Sequence, residues 1–197
     1  MTLASKITVA RLCLVPVFAV LAARYGQTVA AGAPVESLRW AALIVFVTAS
    51  ATDGIDGYIA RHFNQCSRFG EIIDPIADKA LLLTGIVTLS LVDWGPGHWR
   101  IPWWLCALVL LRDFIILGGI TILYLTHHMR HIGPSWVGKV CTVTQMFVLG
   151  WVMLRIFPSS LIYPCLIAAF FTAWSGWLYL MKGIRQLRMP RVTAPQP

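Results

Sequence analysis

The sequence predicts an all-α, polytopic membrane protein built as a bundle of six transmembrane helices. Three observations predict it. Hydrophobic residues make up 58% of the 197 positions and charged residues 12%, with a mean hydropathy of +0.73. Charge is thus about half the roughly 25% usual in soluble domains, and a soluble domain could not bury so much apolar surface. Apolar residues gather in six runs of the roughly 20 residues needed to cross hydrocarbon. Short links join the runs, so residues 1–182 should pack as one catalytic-size domain, with 183–197 as a basic cytoplasmic tail.

The first run, about 7–25, follows Lys6 and Arg11 and ends in Val20-Leu21-Ala22-Ala23, as a secretory signal would. Arg11 interrupts the apolar stretch and five more runs follow, so it is read as a retained span. The second and third runs, about 38–61 and 70–93, carry most of the acids and are joined by the link 62–69. The fourth, about 101–125, contains Arg112 and Asp113. The link after it holds His127, His128 and His131, read as an interfacial loop because no acid lies beside them. In the fifth and sixth runs, about 138–157 and 160–182, Met and Phe at helical spacing read as packing. The five scattered cysteines, without CxxC spacing, read as small buried hydrophobes.

Six spans put both termini on one side. That side carries Lys6, Arg11, Arg61, Arg68, Arg130, Lys139, Lys182, Arg185, Arg188 and Arg191, against Arg24, Arg39, Arg100 and Arg155 on the other. The bias places both termini in the cytoplasm. Trp94, Trp99, Trp103 and Trp104 then form an aromatic belt at the opposite surface. The net charge of +8 resides at the ends of apolar runs, which suits anionic membrane lipids rather than nucleic acid.

Asp53, Asp56, Glu71, Asp74, Asp78 and Asp113 fall in or at the ends of spans. One Asp at mid-span costs about 2.5–3.5 kcal/mol, so four or five cost on the order of 10–17 kcal/mol. That rivals the whole net stability of a domain, about 5–15 kcal/mol. Asp53 and Asp56 are i, i+3 and Asp74 and Asp78 are i, i+4, so each pair shares a helix face. Both pairs lie toward the cytoplasmic ends of consecutive helices, where four carboxylates can converge. Such a cluster needs cations, and carboxylate oxygen suits Mg²⁺ or Mn²⁺. Two such ions about 3.5–4 Å apart are a common device for displacement at phosphorus. Gly54, Gly57, Ala60, Gly70 and Ala77 interleave with the acids, either for close helix packing or to admit a flat ligand. Arg61 is either a snorkelling anchor or a forked donor to a diphosphate.

These residues spell Asp53-x-x-Asp56-Gly57-x-x-Ala60-Arg61, eight residues, Gly70-x-x-x-Asp74-x-x-x-Asp78. This resembles the signature of the CDP-alcohol phosphatidyltransferases at all eight positions. The resemblance implies an integral membrane enzyme, usually a homodimer, in the bacterial inner membrane with a cytoplasm-facing two-metal site. It would move the phosphatidyl group of CDP-diacylglycerol to an alcohol and release CMP. It makes Asp53, Asp56, Asp74 and Asp78 metal ligands, with Asp78 also the base toward the acceptor hydroxyl. Asp56, Gly57, Ala60, Arg61 and Gly70 would hold the CDP-lipid.

The start Ser5-Lys6-Ile7-Thr8-Val9-Ala10-Arg11, the run Asp74-Pro75-Ile76-Ala77-Asp78-Lys79 and the stretch Ser135–Thr142 with Gln145-Met146 resemble the phosphatidylglycerophosphate branch. Its acceptor is glycerol 3-phosphate, with Arg11, Arg112 and Lys139 as phosphate-binding candidates. Two departures are Cys141, where a second Lys often stands, and Arg112-Asp113 in place of Arg-Glu. The Arg-Asp pair also resembles cardiolipin synthases of the same fold, which use phosphatidylglycerol. Read structurally, Arg112 is an ion-pair partner of Asp113, Lys139 a topology anchor, and Lys79 a balance for the acids. A cation transporter also places acids on facing helices, but Arg61 and the fixed glycine offsets favour the enzyme. A non-catalytic scaffold would have no need of four costly carboxylates.

Overall fold

The computed structural model describes residues 3–63, 68–95, 97–125, 136–156 and 161–187; side chains at 3–8, 53–63, 68–76, 78, 120, 123, 124 and 187 lie outside the description. Among the described residues the chain is helical: α1 (Leu3–Ala30), α2 (Glu36–Phe63), α3 (Arg68–Leu91), α4 (Trp103–Leu125), α5 (Trp136–Leu154) and α6 (Ile162–Leu187). Each apolar run is therefore a helix. The largest departure is α1, which continues through Gly26-Gln27-Thr28 because helix formation outlasts the apolar stretch until a left-handed residue ends it. Gly32, at φ 74°, is that residue. Its N–H reaches Val29 O and the next N–H reaches Thr28 O, each at 3.0 Å, a Schellman cap. At the other end of the chain, α6 runs to Leu187, five residues into the expected tail.

Val9–Ala30, Trp136–Leu154 and Ile162–Gln186 are long and apolar enough to cross a membrane, with mean hydropathies of 1.6, 1.5 and 1.4. Only 33% of each such segment is buried inside the protein, so their remaining apolar walls face outward. On α4, Leu111, Phe114, Leu117, Ile122 and Leu125 form an exposed stripe at helical spacing. Outward apolar stripes of this kind need lipid, which makes the chain an integral membrane protein. It also corrects the packing assignment of Phe147, Phe170 and Met181, which are exposed, whereas Met153 is buried.

The chain forms two compact units, Met1–Ile101 with Leu149–Pro158, and Pro102–Val148 with Ser159–Pro197. In the first, α1 packs along both α2 and α3. Phe18 meets Phe46 with ring centroids 5.4 Å apart. Gly26 lies against Val92 so closely that an added Cβ would sit 2.5 Å from Val92 Cβ. In the second unit α4 packs along α6, burying Leu105, Val109, Cys165 and Ala168.

The segment between α3 and α4 corrects the aromatic belt. Trp94 is fully buried and Trp99 nearly so, and only Trp103 stands well exposed, at 78%. Their indoles have a local task. Trp99 Nε1 donates to Val152 O at 2.9 Å and Trp94 Nε1 to Met153 O at 3.3 Å. Arg39 Nη1 also reaches Met153 O, at 3.3 Å. These are last-turn carbonyls of α5, which the helix itself leaves without donors. Arg155 closes that helix at φ 54° in the same Schellman pattern, its N–H on Val152 O and that of Ile156 on Trp151 O, both at 3.2 Å. A left-handed arginine is unfavourable, and its side chain compensates. Arg155 donates to Trp94 O at 2.9 Å, to Glu36 Oε1 at 3.1 Å and to the Tyr25 hydroxyl. Burial lowers the guanidinium pKa below its ordinary value.

The cysteine expectation holds for Cys141 and Cys165, which are buried; Cys13 is exposed and Cys106 half-buried, while Cys66 lies outside the described residues.

Candidate active site

Asp53 and Asp56 stand on α2, and Asp74 and Asp78 on α3, both continuous helices at these positions. Helical geometry therefore applies: each pair occupies one face. Asp53 lies ten residues before the end of α2 and Asp78 ten residues after the start of α3, about 15 Å along each axis at 1.5 Å per residue. Asp56 and Asp74 stand seven and six residues from those same ends, about 9–10 Å. Only residues 64–67 separate the helices. The backbone register thus gives the two pairs matching depths. The side chains of these four residues, and of Gly57, Ala60, Arg61 and Gly70, lie outside the described set. Ala77, between Asp74 and Asp78, is fully buried.

Charge singles out the same segment. Residues 53–79 hold five acids (Asp53, Asp56, Glu71, Asp74, Asp78) against Arg61, Arg68 and Lys79, a net −2 within a chain of net +8. Excess anion in a mainly apolar stretch calls for further cations. Carboxylate oxygens are hard donors, a chemistry that would suit Mg²⁺ or Mn²⁺ rather than a soft-ligand metal.

The three candidate acceptor-binding cations occupy different settings. Arg11, on α1, is buried at 1% exposure. Lys139, on α5, is exposed. Arg112, on α4, pairs with Asp113 through Nη1 at 2.7 Å, the side chains being 11% and 9% exposed. The ion-pair expectation is therefore met. The pair does not exhaust Arg112, whose guanidinium has five N–H donors. Nη2 donates to Ser175 Oγ on α6 at 3.0 Å, and its carbon lies 5.9 Å from the Tyr179 ring. His127, His128 and His131 lie outside the described residues.

Thr172, Ser175 and Gly176 escape the sequence reading. Their signal is small residues at i, i+3 and i+4 inside an apolar run, which looks like any helix-packing seam. Cys141 and Gln145, singled out for family resemblance, face this seam: Gln145 Nε2 donates to Thr172 Oγ1 at 3.0 Å, and Cys141 Sγ lies 3.4 Å from the same hydroxyl.

Comparison with known proteins bears on the same residues. The family model described as CDP-alcohol phosphatidyltransferase matches residues 1–182. A Bacillus subtilis protein named CDP-diacylglycerol--glycerol-3-phosphate 3-phosphatidyltransferase is 30% identical over 94% of this chain and 97% of its own length. A Mycobacterium tuberculosis protein named probable phosphatidylglycerophosphate synthase is 34% identical over 98% of this chain and 86% of its own. An Escherichia coli protein with the same name as the Bacillus one is 34% identical over 75% of this chain and 80% of its own. With its motif intact on two consecutive helices and its similarity running nearly from end to end, this chain belongs to the CDP-alcohol phosphatidyltransferase family.

Proposed function

We propose that this protein is a phosphatidylglycerophosphate synthase: it transfers the phosphatidyl group of CDP-diacylglycerol to glycerol 3-phosphate and releases CMP. The observation that carries the acceptor is the shared naming of relatives that match along most of the chain. The catalytic domain spans 1–182, the stretch the family matches. It works as a homodimer in the bacterial inner membrane, among membrane lipids, with both termini and the site on the cytoplasmic side.

The family is generally divalent-cation dependent. Asp53, Asp56, Asp74 and Asp78 would hold two such ions, Mg²⁺ or Mn²⁺. When bound, these supply charge neutralisation on the diphosphate and on departing CMP. Arg61 binds the diphosphate with its forked donors. Gly57, Ala60 and Gly70 leave room for the cytidine. Asp78 accepts the proton of the acceptor hydroxyl as its oxygen bonds to the diacylglycerol-bearing phosphorus and the bond from that phosphorus to CMP breaks. Arg112 binds the phosphate of glycerol 3-phosphate, Arg11 and Lys139 being the other candidates for that role.

Purified protein supplied with CDP-diacylglycerol and one acceptor at a time tests this reading. Glycerol 3-phosphate should give phosphatidylglycerophosphate, and chelation should stop turnover until Mg²⁺ or Mn²⁺ is returned. Cardiolipin from phosphatidylglycerol would move the protein to the cardiolipin synthase reading. Cation flux into liposomes lacking CDP-lipid would support the transporter instead.

A further inference from the structure

Thr172 and Ser175 stand three residues apart on one face of α6, both fully buried. They serve different helices. Thr172 takes the Gln145 amide of α5 at 3.0 Å and returns its own proton to Ala168 O at 2.6 Å. Ser175 takes the Arg112 Nη2 donor of α4 at 3.0 Å. Gly176 lies beside the arginine stem, where an added Cβ would meet Arg112 Cγ in ordinary contact at 3.5 Å. Asp113 is the neighbour of Arg112 on the same helix, and it accepts from Nη1 at 2.7 Å. One anchor leaves a planar fork free to swing about that contact. Ser175, reaching the other terminal nitrogen from a second helix, fixes the plane. Arg112 Nε is buried with no hydrogen-bond partner among the described residues, so the pinned fork keeps an unspent donor. Buried donors without partners are rare, and one on an arginine is suited to an incoming oxyanion.

We infer that Ser175 is a positioning residue for the acceptor: its hydroxyl holds the Arg112 fork in the orientation that receives the phosphate of glycerol 3-phosphate. The inference rests on the proposed role of Arg112 in binding that phosphate. Simple helix-to-helix attachment would weaken the whole enzyme evenly. Positioning acts on one substrate.

The test measures KM for each substrate, kcat, and inhibition by inorganic phosphate. Ser175→Ala should raise the KM for glycerol 3-phosphate, and the phosphate inhibition constant with it, about 10- to 150-fold, the scale of one hydrogen bond to a charged group. KM for CDP-diacylglycerol and kcat should stay within about two-fold, the spread of an uninvolved site. Ser175→Thr, which keeps the hydroxyl, should recover most of the loss. Should the alanine variant fail to accumulate, Ser175→Cys, a weak acceptor of similar shape, should show the same rise. In an Arg112→Lys background, where no fork remains to orient, Ser175→Ala should add less than about two-fold, because coupled residues are not additive. Arg112→Lys that raises the KM for glycerol 3-phosphate while Ser175→Ala does not would overturn positioning alone. Arg112→Lys without effect on that KM would overturn the role of Arg112, and the inference with it. Parallel loss in all parameters, unrescued by threonine, would reduce Ser175 to a structural contact.

Discussion

The two ends of the α2–α3 pair handle acids in opposite ways. At the end where α2 begins and α3 stops, each acid has a basic side chain within 4 Å, although Asp93 Oδ1 is buried without a hydrogen-bond partner among the described residues. Glu36 accepts from Arg39 at 2.6 Å and from Arg155 at 3.1 Å, and Asp93 lies 3.4 Å from His98 and 3.8 Å from Arg100. At the other end four aspartates share 26 residues with too few cations for them all. Basic partners for the acids and donors for the last carbonyls of α5 tie this end of the first unit together. On the proposed reading, the surplus acids make a place that bound cations complete. The first arrangement is a matter of stability, the second of chemistry.

Substitutions at each end should separate these roles. Asp78→Asn keeps size and polarity but removes the proposed base. Turnover should fall about 10²- to 10⁴-fold with insertion and thermal unfolding little changed. A rate near wild type would put the base elsewhere. Gly26→Ala drives a methyl into Val92 Cβ, an atom fixed to the backbone that cannot rotate aside. It should destabilise the protein by about 1–3 kcal/mol, the usual penalty of overpacking, seen as a lower Tm in detergent. Val92→Ala leaves that Cβ in place and should restore little, whereas Val92→Gly should restore part of the loss.

Arg155→Ala removes three side-chain hydrogen bonds and keeps a left-handed Cβ. A loss of about 1–3 kcal/mol is expected from its orphaned partners. Arg155→Gly, which relieves the backbone, should be milder by about 1 kcal/mol. Equal effects would show that φ carries no strain there. The smallest change is Trp99→Phe, which keeps the ring body and deletes the donor to Val152 O. It should lower stability by about 1 kcal/mol and leave kcat in place. A fall in kcat for Arg155→Ala or Trp99→Phe would break the division between the two ends.

The residues that were legible early share a local grammar. Apolar runs marked all six described helices, three of them long and apolar enough to cross a membrane, and the ends differ by about five residues at most. Aspartates at i, i+3 and i, i+4 announced a shared face without any partner helix in view. Trp94 and Trp99 were misplaced because a tryptophan near a span end has the same composition whether it faces headgroups or turns inward. Only the position of α5 tells them apart, through carbonyls 53 and 59 residues away in sequence. Ser175 was invisible for a similar reason. A serine in an apolar helix carries no record of the arginine 63 positions earlier that donates to it.

What the sequence determined by itself is therefore the solvent and the register: a chain this apolar must lie in lipid, and helical periodicity alone lines up Asp53 with Asp56 and Asp74 with Asp78. Tertiary structure decided which groups meet across helices: Gly26 under Val92, the indoles over the end of α5, and Ser175 on Arg112. Periodicity follows from backbone geometry within a few residues. Packing depends on contacts between residues far apart along the chain, and those exist only once the helices have come together.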